Sequence, residues 1–172
     1  MKQRVQSILF FLSALVMGLL FFMPLASYCN DSGDYYKLYV YGIDVISPND
    51  GASPFRSLYT LPLLVLSVAV ILLSFYISMS IFRAVKLNQF VRLFKLSRIN
   101  VAIVVVLIAT IFVYYLMKTG TPAKVSPSFS WSKGSWPSWG AFLPLVSLLM
   151  ILVASSGLRK DINKVKSVDR IR

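Results

Sequence analysis

Few side chains in this chain could do acid–base, nucleophilic or metal chemistry. Its 172 residues include 18 Lys or Arg and six acidic residues, all of them Asp, but no His and a single cysteine, Cys29. The chain therefore lacks an imidazole base and the commonest metal ligand, and one cysteine forms neither an internal disulfide nor a Cys-x-x-Cys pair. The sequence also contains no glycine-rich phosphate-binding loop. These features predict a protein that is not an enzyme and binds no cofactor or metal.

The densest charged segment, residues 83–98, carries five Lys or Arg and no acid in sixteen residues. Strongly apolar runs flank it on both sides. Basic segments beside membrane spans stay in the cytoplasm, because moving Lys and Arg across the bilayer is unfavourable and the inner leaflet is anionic. We therefore expect this segment to be cytoplasmic, with Arg92, Lys95 and Arg98 available as contacts for a protein partner or for lipid.

The C-terminal segment, residues 160–172, has a second basic pattern. Its apolar residues recur at intervals of three from Ile162 to Ile171, which predicts a short amphipathic helix with basic side chains on its other faces. Such a helix can lie on an anionic leaflet or dock onto a protein partner, and both alternatives stay open. Asp161 is expected to pair locally with Lys164. The candidate contacts in this segment are Lys166, Asp169, Arg170 and Arg172.

Hydropathy places these charges on a membrane protein. Hydrophobic residues make up 57% of the chain and charged residues only 14%, whereas soluble proteins carry roughly 25% charged residues. A helix needs about 20 apolar residues to cross the ~30 Å hydrocarbon core, and four windows without Asp, Glu, Lys or Arg are long enough. The sequence therefore predicts an all-α transmembrane fold, a four-helix integral membrane bundle. The expected spans are 5–27, 58–83, 98–118 and 138–159.

The distribution of charge predicts how these spans are oriented. Both chain ends and the loop 84–97 are expected in the cytoplasm, and the loops 28–57 and 119–137 outside. On this assignment the cytoplasmic side carries thirteen Lys or Arg and two Asp, a net charge of +11, and the outside a net charge of +1. The positive-inside rule accounts for this asymmetry, so the overall charge of +12 does not indicate nucleic-acid binding.

The two outside loops show strand-like patterns. Residues 35–47 are rich in Tyr, Val and Ile, which favour strands. Gly42 within them suggests a bulge or a bend between two short strands. Residues 125–132 alternate apolar and serine side chains, so they could add an edge strand. Together the loops predict a small β-containing cap on the bundle.

Two smaller features concern how the helices begin and pack. Pro62 and Pro144 lie near the starts of the second and fourth spans, where a proline initiates a helix because the missing N–H has no helical partner there. Ala14 and Gly18 form a small-xxx-small pair that could let another helix approach closely, although two small residues by chance explain it equally well.

Three stretches of the sequence together resemble a known family. They are MKQRVQSILFFLSALVMGLLFFMPLA at the start, KLNQFVRLFKLSRIN after the second span, and RKDINKVKSVDRIR at the end. The chain is similar to the Bacteroidota family of small four-helix inner-membrane proteins called domain of unknown function 4293. The resemblance implies a multi-pass protein of the bacterial inner membrane and implies no catalytic residues. In that membrane the β-containing cap predicted from the loop patterns would be periplasmic. The matching positions are Gln3, Arg4, Gln6, Lys166, Ser167, Asp169, Arg170 and Arg172.

These features favour a non-enzymatic subunit or accessory factor of a larger membrane protein complex. The membrane interior is expected to hold no ionisable side chain, so recognition should occur at the basic cytoplasmic surface. The expected partners are anionic lipids of the cytoplasmic leaflet and a membrane protein, with no nucleic acid. The alternative is a small transporter or channel, which needs polar groups that converge between helices. The candidates for that role near mid-membrane are Ser67, Thr110 and Ser147.

Overall fold

Four helices pack side by side in a square bundle. The computed structural model describes residues 2–29, 35–47, 51–55, 60–83, 87–117 and 138–169, with side chains within 5–27, 37–44, 60–83, 88–113 and 138–163. The packed helix pairs are α1–α2, α2–α3, α3–α4 and α4–α1, so each helix has two neighbours. The predicted four-helix bundle is confirmed. The helices are α1 (Lys2–Leu19), α2 (Leu61–Arg83), α3 (Leu87–Met117) and α4 (Leu143–Asp169).

The buried residues recur mostly at intervals of three and four along each helix. In α3 this series runs Phe90, Leu93, Ser97, Asn100 and Val104. A mean interval of 3.5 residues keeps one narrow stripe facing the bundle axis, as in left-handed helix bundles. The rest of each helix surface is rich in exposed Leu, Val, Ile and Phe, which suits contact with lipid. The buried series of α2 is Leu63, Ser67, Val70, Ser74, Ile77, Ser78 and Ile81.

Three of the helices are long and apolar enough to cross a membrane, through the segments Leu61–Arg83, Asn88–Val113 and Trp139–Asn163. The apolar part of the first helix, Val5–Leu19, is shorter. The first span was predicted to continue to about residue 27, but α1 ends at Leu19. Its last turn tightens into hydrogen bonds from residue i to i−3, and the chain then turns to join a strand.

Helices α3 and α4 are longer than the predicted spans. The segment predicted as the loop 84–97 is helical from Leu87 onward. The predicted C-terminal amphipathic helix is not separate, because α4 continues through it to Asp169. Neither extension contains Gly or Pro, and each has apolar side chains that pack into the bundle: Phe90 and Leu93 in α3, Ile162 in α4. Charge alone does not end a helix where one face still buries apolar residues.

The prolines lie where helix initiation was predicted. Pro62 is the second residue of α2 and Pro144 the second residue of α4. The first turn of a helix has no carbonyl partner for its N–H groups, so proline costs nothing there. In α4 the start is extended backward by a 3₁₀ turn, Trp139–Phe142.

The predicted β-containing cap is a four-stranded antiparallel sheet in sequential order. Tyr39 pairs with Gly42, so Val40 and Tyr41 form a two-residue hairpin turn and the predicted bend lies immediately before Gly42. The second predicted contribution, residues 125–132, lies outside the described residues. The strands are β1 (Ala26–Cys29), β2 (Tyr35–Tyr39), β3 (Gly42–Ser47) and β4 (Gly51–Phe55).

The sheet is joined to the bundle by both packing and hydrogen bonds. Leu38, Val40 and Ile43 are at most 3% exposed and belong to the same hydrophobic cluster as the helices. The Leu25 amide donates to the Leu38 carbonyl at 2.7 Å, and the Ser138 amide donates to the Leu25 carbonyl at 3.2 Å. The chain before β1 is thus held between the sheet and the start of α4. We call this end of the bundle the sheet end. We call the opposite end, where α2 ends and α3 begins, the basic end.

Candidate functional site

A ring of hydrogen-bonded polar side chains crosses the bundle in its half nearer the basic end. Each helix contributes two residues, one toward each neighbour, so that all four helix interfaces carry a polar pair. We call this set the polar ring. Its members are Gln6 and Ser7 of α1, Ser74 and Ser78 of α2, Ser97 and Asn100 of α3, and Ser155 and Asp161 of α4.

On α2, two serines one helical turn apart form hydrogen bonds to the two neighbouring helices. The Ser78 hydroxyl donates to the Ser7 carbonyl at 2.8 Å, and the Ser7 hydroxyl donates to the Ser78 carbonyl at 2.7 Å, which ties α1 to α2. One turn away, the Asn100 side-chain amide donates to the Ser74 hydroxyl oxygen at 2.7 Å, which ties α3 to α2. All four residues are at most 3% exposed, so no bulk water replaces these bonds.

Helix α4 completes the ring on the other side. The Ser155 hydroxyl donates to the Ile151 carbonyl of its own helix at 2.7 Å, so its oxygen is left to accept from the Ser97 hydroxyl. At the last interface the Gln6 side-chain amide donates to Asp161 Oδ2 at 2.8 Å. Asp161 was expected to pair with Lys164, whose side chain lies outside the described part of the chain.

Gly157 makes room for the Gln6 side chain between α1 and α4. A Cβ at residue 157 would lie 2.8 Å from Gln6 Nε2 and 3.0 Å from its Cγ. The absence of a side chain therefore lets the Gln6 amide cross the interface and reach Asp161 one turn further along α4. Towards the sheet end, a second hydroxyl pair, Ser13 with Ser147 at 2.9 Å, adds to the same interface.

The polar ring sets helix register more than it adds stability. Interhelical hydrogen bonds in membrane bundles are worth about 0.6 kcal/mol on average and at most about 1.7 kcal/mol. Smooth apolar faces can slide past one another at little cost, whereas a displaced polar pair leaves buried donors and acceptors unpaired. Two buried oxygens in the ring, Gln6 Oε1 and Asn100 Oδ1, have no hydrogen-bond partner among the residues that the structure describes. The ring is made of hydroxyl and amide groups and of the carboxylate of Asp161.

Sequence reasoning named only part of this polar interior. Ser67 and Thr110 bond to carbonyls of their own helices, at 2.9 Å and 2.7 Å, so they do not converge with other helices. Ser147 does bond across to α1. Of the three candidates near mid-membrane, Ser147 alone has a described bond to another helix, and the polar ring lies nearer the basic end. The signal that could have found it is the occurrence of Ser74, Ser78, Ser97 and Asn100 at the three-and-four spacing of the buried stripes.

We expect Asp161→Leu to destabilise the bundle by about 1–3 kcal/mol, because the Gln6 amide, 5% exposed, would lose its acceptor. Asp161→Asn is the matched control, since its side-chain oxygen can still accept that hydrogen bond. The measurement is the midpoint of thermal unfolding of both variants in detergent. Equal losses of stability in the two variants would show that the hydrogen bond from Gln6 is not the reason why Asp161 stabilises the bundle.

The candidate contact residues on α3 are all exposed at the basic end. Arg92, Lys95 and Arg98 follow one another at intervals of three, which turns each about 60° around the helix from the one before. Arg92 lies on the side of α3 that faces α2, while Lys95 and Arg98 lie on the outer surface of α3. The Arg98 guanidinium lies over the Phe94 ring, 4.7 Å from its centroid, which holds the charge against the helix surface.

The candidate residues of the C-terminal segment are less fully described. Lys166 and Asp169 lie on the last turns of α4, as helical backbone whose side chains are outside the described set. Arg170 and Arg172 lie outside the described residues altogether. Whether the α3 and α4 candidates form one site therefore stays a prediction.

A cleft of about 290 Å³ opens between the last turns of α2 and the first turns of α3. Arg83 enters it from α2 and Arg92 from α3, and both side chains are exposed. The remaining lining mixes hydroxyl, amide and leucine side chains. We call this feature the basic cleft. Its lining residues are Tyr76, Ser80, Arg83, Gln89, Arg92, Leu93 and Leu96.

Neither the polar ring nor the basic cleft has the ligands of a metal site. Across residues 2–29, 35–47, 51–55, 60–83, 87–117 and 138–169, no group of three or more His, Cys, Asp or Glu lies close enough to hold an ion. The polar ring and the basic cleft together offer hydroxyls, amides, the Asp161 carboxylate and guanidinium groups, which bind through hydrogen bonds and charge.

Comparison with known proteins identifies a family. No curated protein matches the chain. The family model described as Domain of unknown function (DUF4293) matches residues 2–171, which is nearly the whole chain. The match covers the four helices, the sheet and the basic end together. The chain therefore belongs to the DUF4293 family.

Proposed function

We propose that this protein is a non-enzymatic subunit or accessory factor of a larger protein complex in the bacterial inner membrane. The observation that carries the proposal is that the polar side chains inside the bundle differ in kind and in bonding from those on its surface. Inside the bundle they bond mostly to one another and fix the helices, and outside they are concentrated as cations at the basic end. A protein that is rigid inside and charged at one end is suited to recognition at that end.

The docking surface of this proposal is the outer face of α3 at the basic end together with the end of α4. Lys95 and Arg98 are exposed on the outer surface of α3. Arg98 is already held over Phe94, so less conformational entropy is lost when it pairs with a partner carboxylate. Helix α4 extends to Asp169, beyond the apolar segment that ends at Asn163. The partner is therefore a membrane protein with an acidic surface at the same membrane face.

Co-purification from native membranes in mild detergent tests this proposal. We expect partners in a fixed ratio to the full-length protein, and we expect Lys95→Glu with Arg98→Glu to release them by reversing the surface charge. Lys95→Arg with Arg98→Lys is the matched control, because it keeps the charge but exchanges the geometry. Truncation after residue 163 tests the C-terminal arm without removing Asp161 or Ile162 from the bundle. Recovery of the same proteins with all variants, or of the chain alone, would refute the subunit assignment.

We further propose that both chain ends and the basic end lie in the cytoplasm and the sheet in the periplasm. The charge asymmetry of the sequence supports this orientation. The single cysteine, Cys29, ends β1 in the sheet and is a natural reporter. We expect a membrane-impermeant maleimide to label it in spheroplasts. Labelling only after the inner membrane is opened from the cytoplasmic side would reverse the orientation, and denatured protein serves as the control for reactivity.

The second candidate function is a small transporter or channel. The observation that favours it is the pair of buried, unpaired oxygens, Gln6 Oε1 and Asn100 Oδ1, which could accept hydrogen bonds from a permeating donor. Solute flux into proteoliposomes containing the purified protein tests this alternative. Flux that falls in Asn100→Leu and is retained in Thr110→Val, where the hydroxyl bonds only to its own helix, would favour transport over the subunit role.

A further inference from the structure

We propose that the basic cleft is a binding site for the phosphate headgroup of one anionic phospholipid. The cleft lies where the apolar segment of α2 ends, at Arg83, so it opens at the level where a lipid headgroup meets water. This site is separate from the docking surface formed by Lys95 and Arg98, and it does not depend on the presence of a protein partner.

The two helices present complementary halves of the site. On α2, Tyr76, Ser80 and Arg83 are spaced at intervals of four and three, so they form one stripe along the helix. On α3, Arg92 and Leu96 are four residues apart and face that stripe. Because α2 and α3 are packed neighbours, the two guanidinium groups approach one cavity from opposite sides. Two arginines in this arrangement can each donate paired hydrogen bonds to phosphate oxygens.

The charge of the cleft has no counterpart among the described side chains. Residues 83–98 contain no acid. The carboxylates with described side chains are Asp44, in the sheet, and Asp161, which accepts from Gln6 at the α1–α4 interface on the opposite side of the square. Two exposed arginines that line one cleft, without a described carboxylate to compensate them, favour an anion at this place.

The rest of the lining selects a lipid rather than a soluble anion. Leu93 and Leu96 line the α3 side, and Tyr76 is 58% exposed on the α2 surface, where an aromatic ring is suited to the membrane interface. A cleft of 290 Å³ is at the small end of ligand pockets, which span about 300–1,000 Å³, so it fits a headgroup and not a large soluble molecule. The acyl chains would then lie along the exposed apolar faces of α2 and α3.

Native mass spectrometry of the full-length protein, titrated with short-chain phosphatidylglycerol, tests the proposal. We expect one high-affinity lipid, with affinity reduced about tenfold or more in Arg83→Gln with Arg92→Gln, because two charged hydrogen-bond donors are lost. Lys95→Gln with Arg98→Gln is the matched control. It removes the same charge from the same end of the bundle outside the cleft, and we expect it to change the affinity less than about threefold. Phosphatidylcholine, which has no net charge, should bind weakly to all three proteins.

Each other result would overturn the proposal. Equal losses in the two double variants would show diffuse attraction of lipid to the whole basic end. Displacement of phosphatidylglycerol by inorganic phosphate at equal concentration would identify a site for a soluble anion. Absence of a tight lipid, together with loss of a co-purified protein in the Arg83→Gln with Arg92→Gln variant alone, would assign the cleft to protein docking. Since the lipid titration uses purified protein, its outcome is independent of whether the subunit proposal holds.

Discussion

Gly140→Ala is expected to destabilise this protein by about 3 kcal/mol, although the substitution adds only one methyl group. A Cβ at residue 140 would overlap the Pro24 carbonyl oxygen and would lie 3.0 Å from its carbonyl carbon and 3.1 Å from the Met23 oxygen. These are backbone atoms, held in place because the neighbouring Leu25 carbonyl accepts from the Ser138 amide. The clash therefore forces the start of α4 away from the chain that leads into β1.

The matched control is Gly18→Ala in α1. A Cβ at residue 18 meets no atom within 4 Å, because the residue faces an open apolar groove. Alanine is better than glycine in a helix by about 0.5–1 kcal/mol, so we expect this variant to be unchanged or slightly more stable. Each protein is heated in detergent and then analysed by size-exclusion chromatography. The measurement is the temperature at which half of the monodisperse peak is lost. Equal stability of the two variants would mean that the Pro24–Gly140 contact does not hold the sheet end together.

Ser78→Leu is expected to separate α1 from α2 at the polar ring. Ser78 is 3% exposed, and its hydroxyl donates to the Ser7 carbonyl at 2.8 Å while its own carbonyl accepts from the Ser7 hydroxyl. A leucine there needs space that closely packed backbones do not offer, and overpacking costs about 1–3 kcal/mol. Ser78→Ala removes only the side-chain bond and should cost about 1 kcal/mol or less. We expect Ser78→Leu to lower the thermal unfolding midpoint more than Ser78→Ala does. The difference between the two variants measures the steric effect, and the loss in Ser78→Ala measures the hydrogen bond.

Ser156→Leu provides the comparison on a surface position. Ser156 is exposed, and its hydroxyl bonds to the Val153 carbonyl of its own helix at 2.8 Å. We expect leucine there to leave stability within about 0.5 kcal/mol, as for most surface substitutions. If Ser156→Leu were as damaging as Ser78→Leu, the effect would lie in replacing serine within a helix, and the reciprocal pair with Ser7 would not be responsible.

Local properties of the sequence were enough to predict the four helices and the strands β2 and β3, but not β1 and β4. Long apolar windows predict helices whatever surrounds them, because a buried or lipid-facing backbone must satisfy its own hydrogen bonds. Pro62 and Pro144 initiate α2 and α4 as predicted, since proline is restricted by its own ring and missing N–H. The turn before Gly42 and the strands around it follow from period-two patterning over a few residues.

Element ends were less predictable than the elements themselves. The third span was expected from residue 98, and the chain is already helical from Leu87 because Phe90, Leu93 and Ser97 continue the buried stripe of α3. Likewise, Ile162 and Asp161 bind α4 to the bundle beyond the expected end of its span. Charge predicts which side of a membrane a segment occupies, and it does not predict whether tertiary packing extends a helix there.

The polar ring is the feature that only the tertiary structure decided. The sequence places Gln6, Asn100 and Asp161 in different helices, up to 155 residues apart, and nothing in their local context says which of them meet. Their partners depend on the order of the helices around the square and on the vertical register of each pair. The same is true of Arg83 and Arg92, which share a cleft because α2 and α3 are antiparallel neighbours. Hydropathy is summed along one helix, whereas a hydrogen bond across an interface exists only once two helices are fixed to within about an ångström of each other.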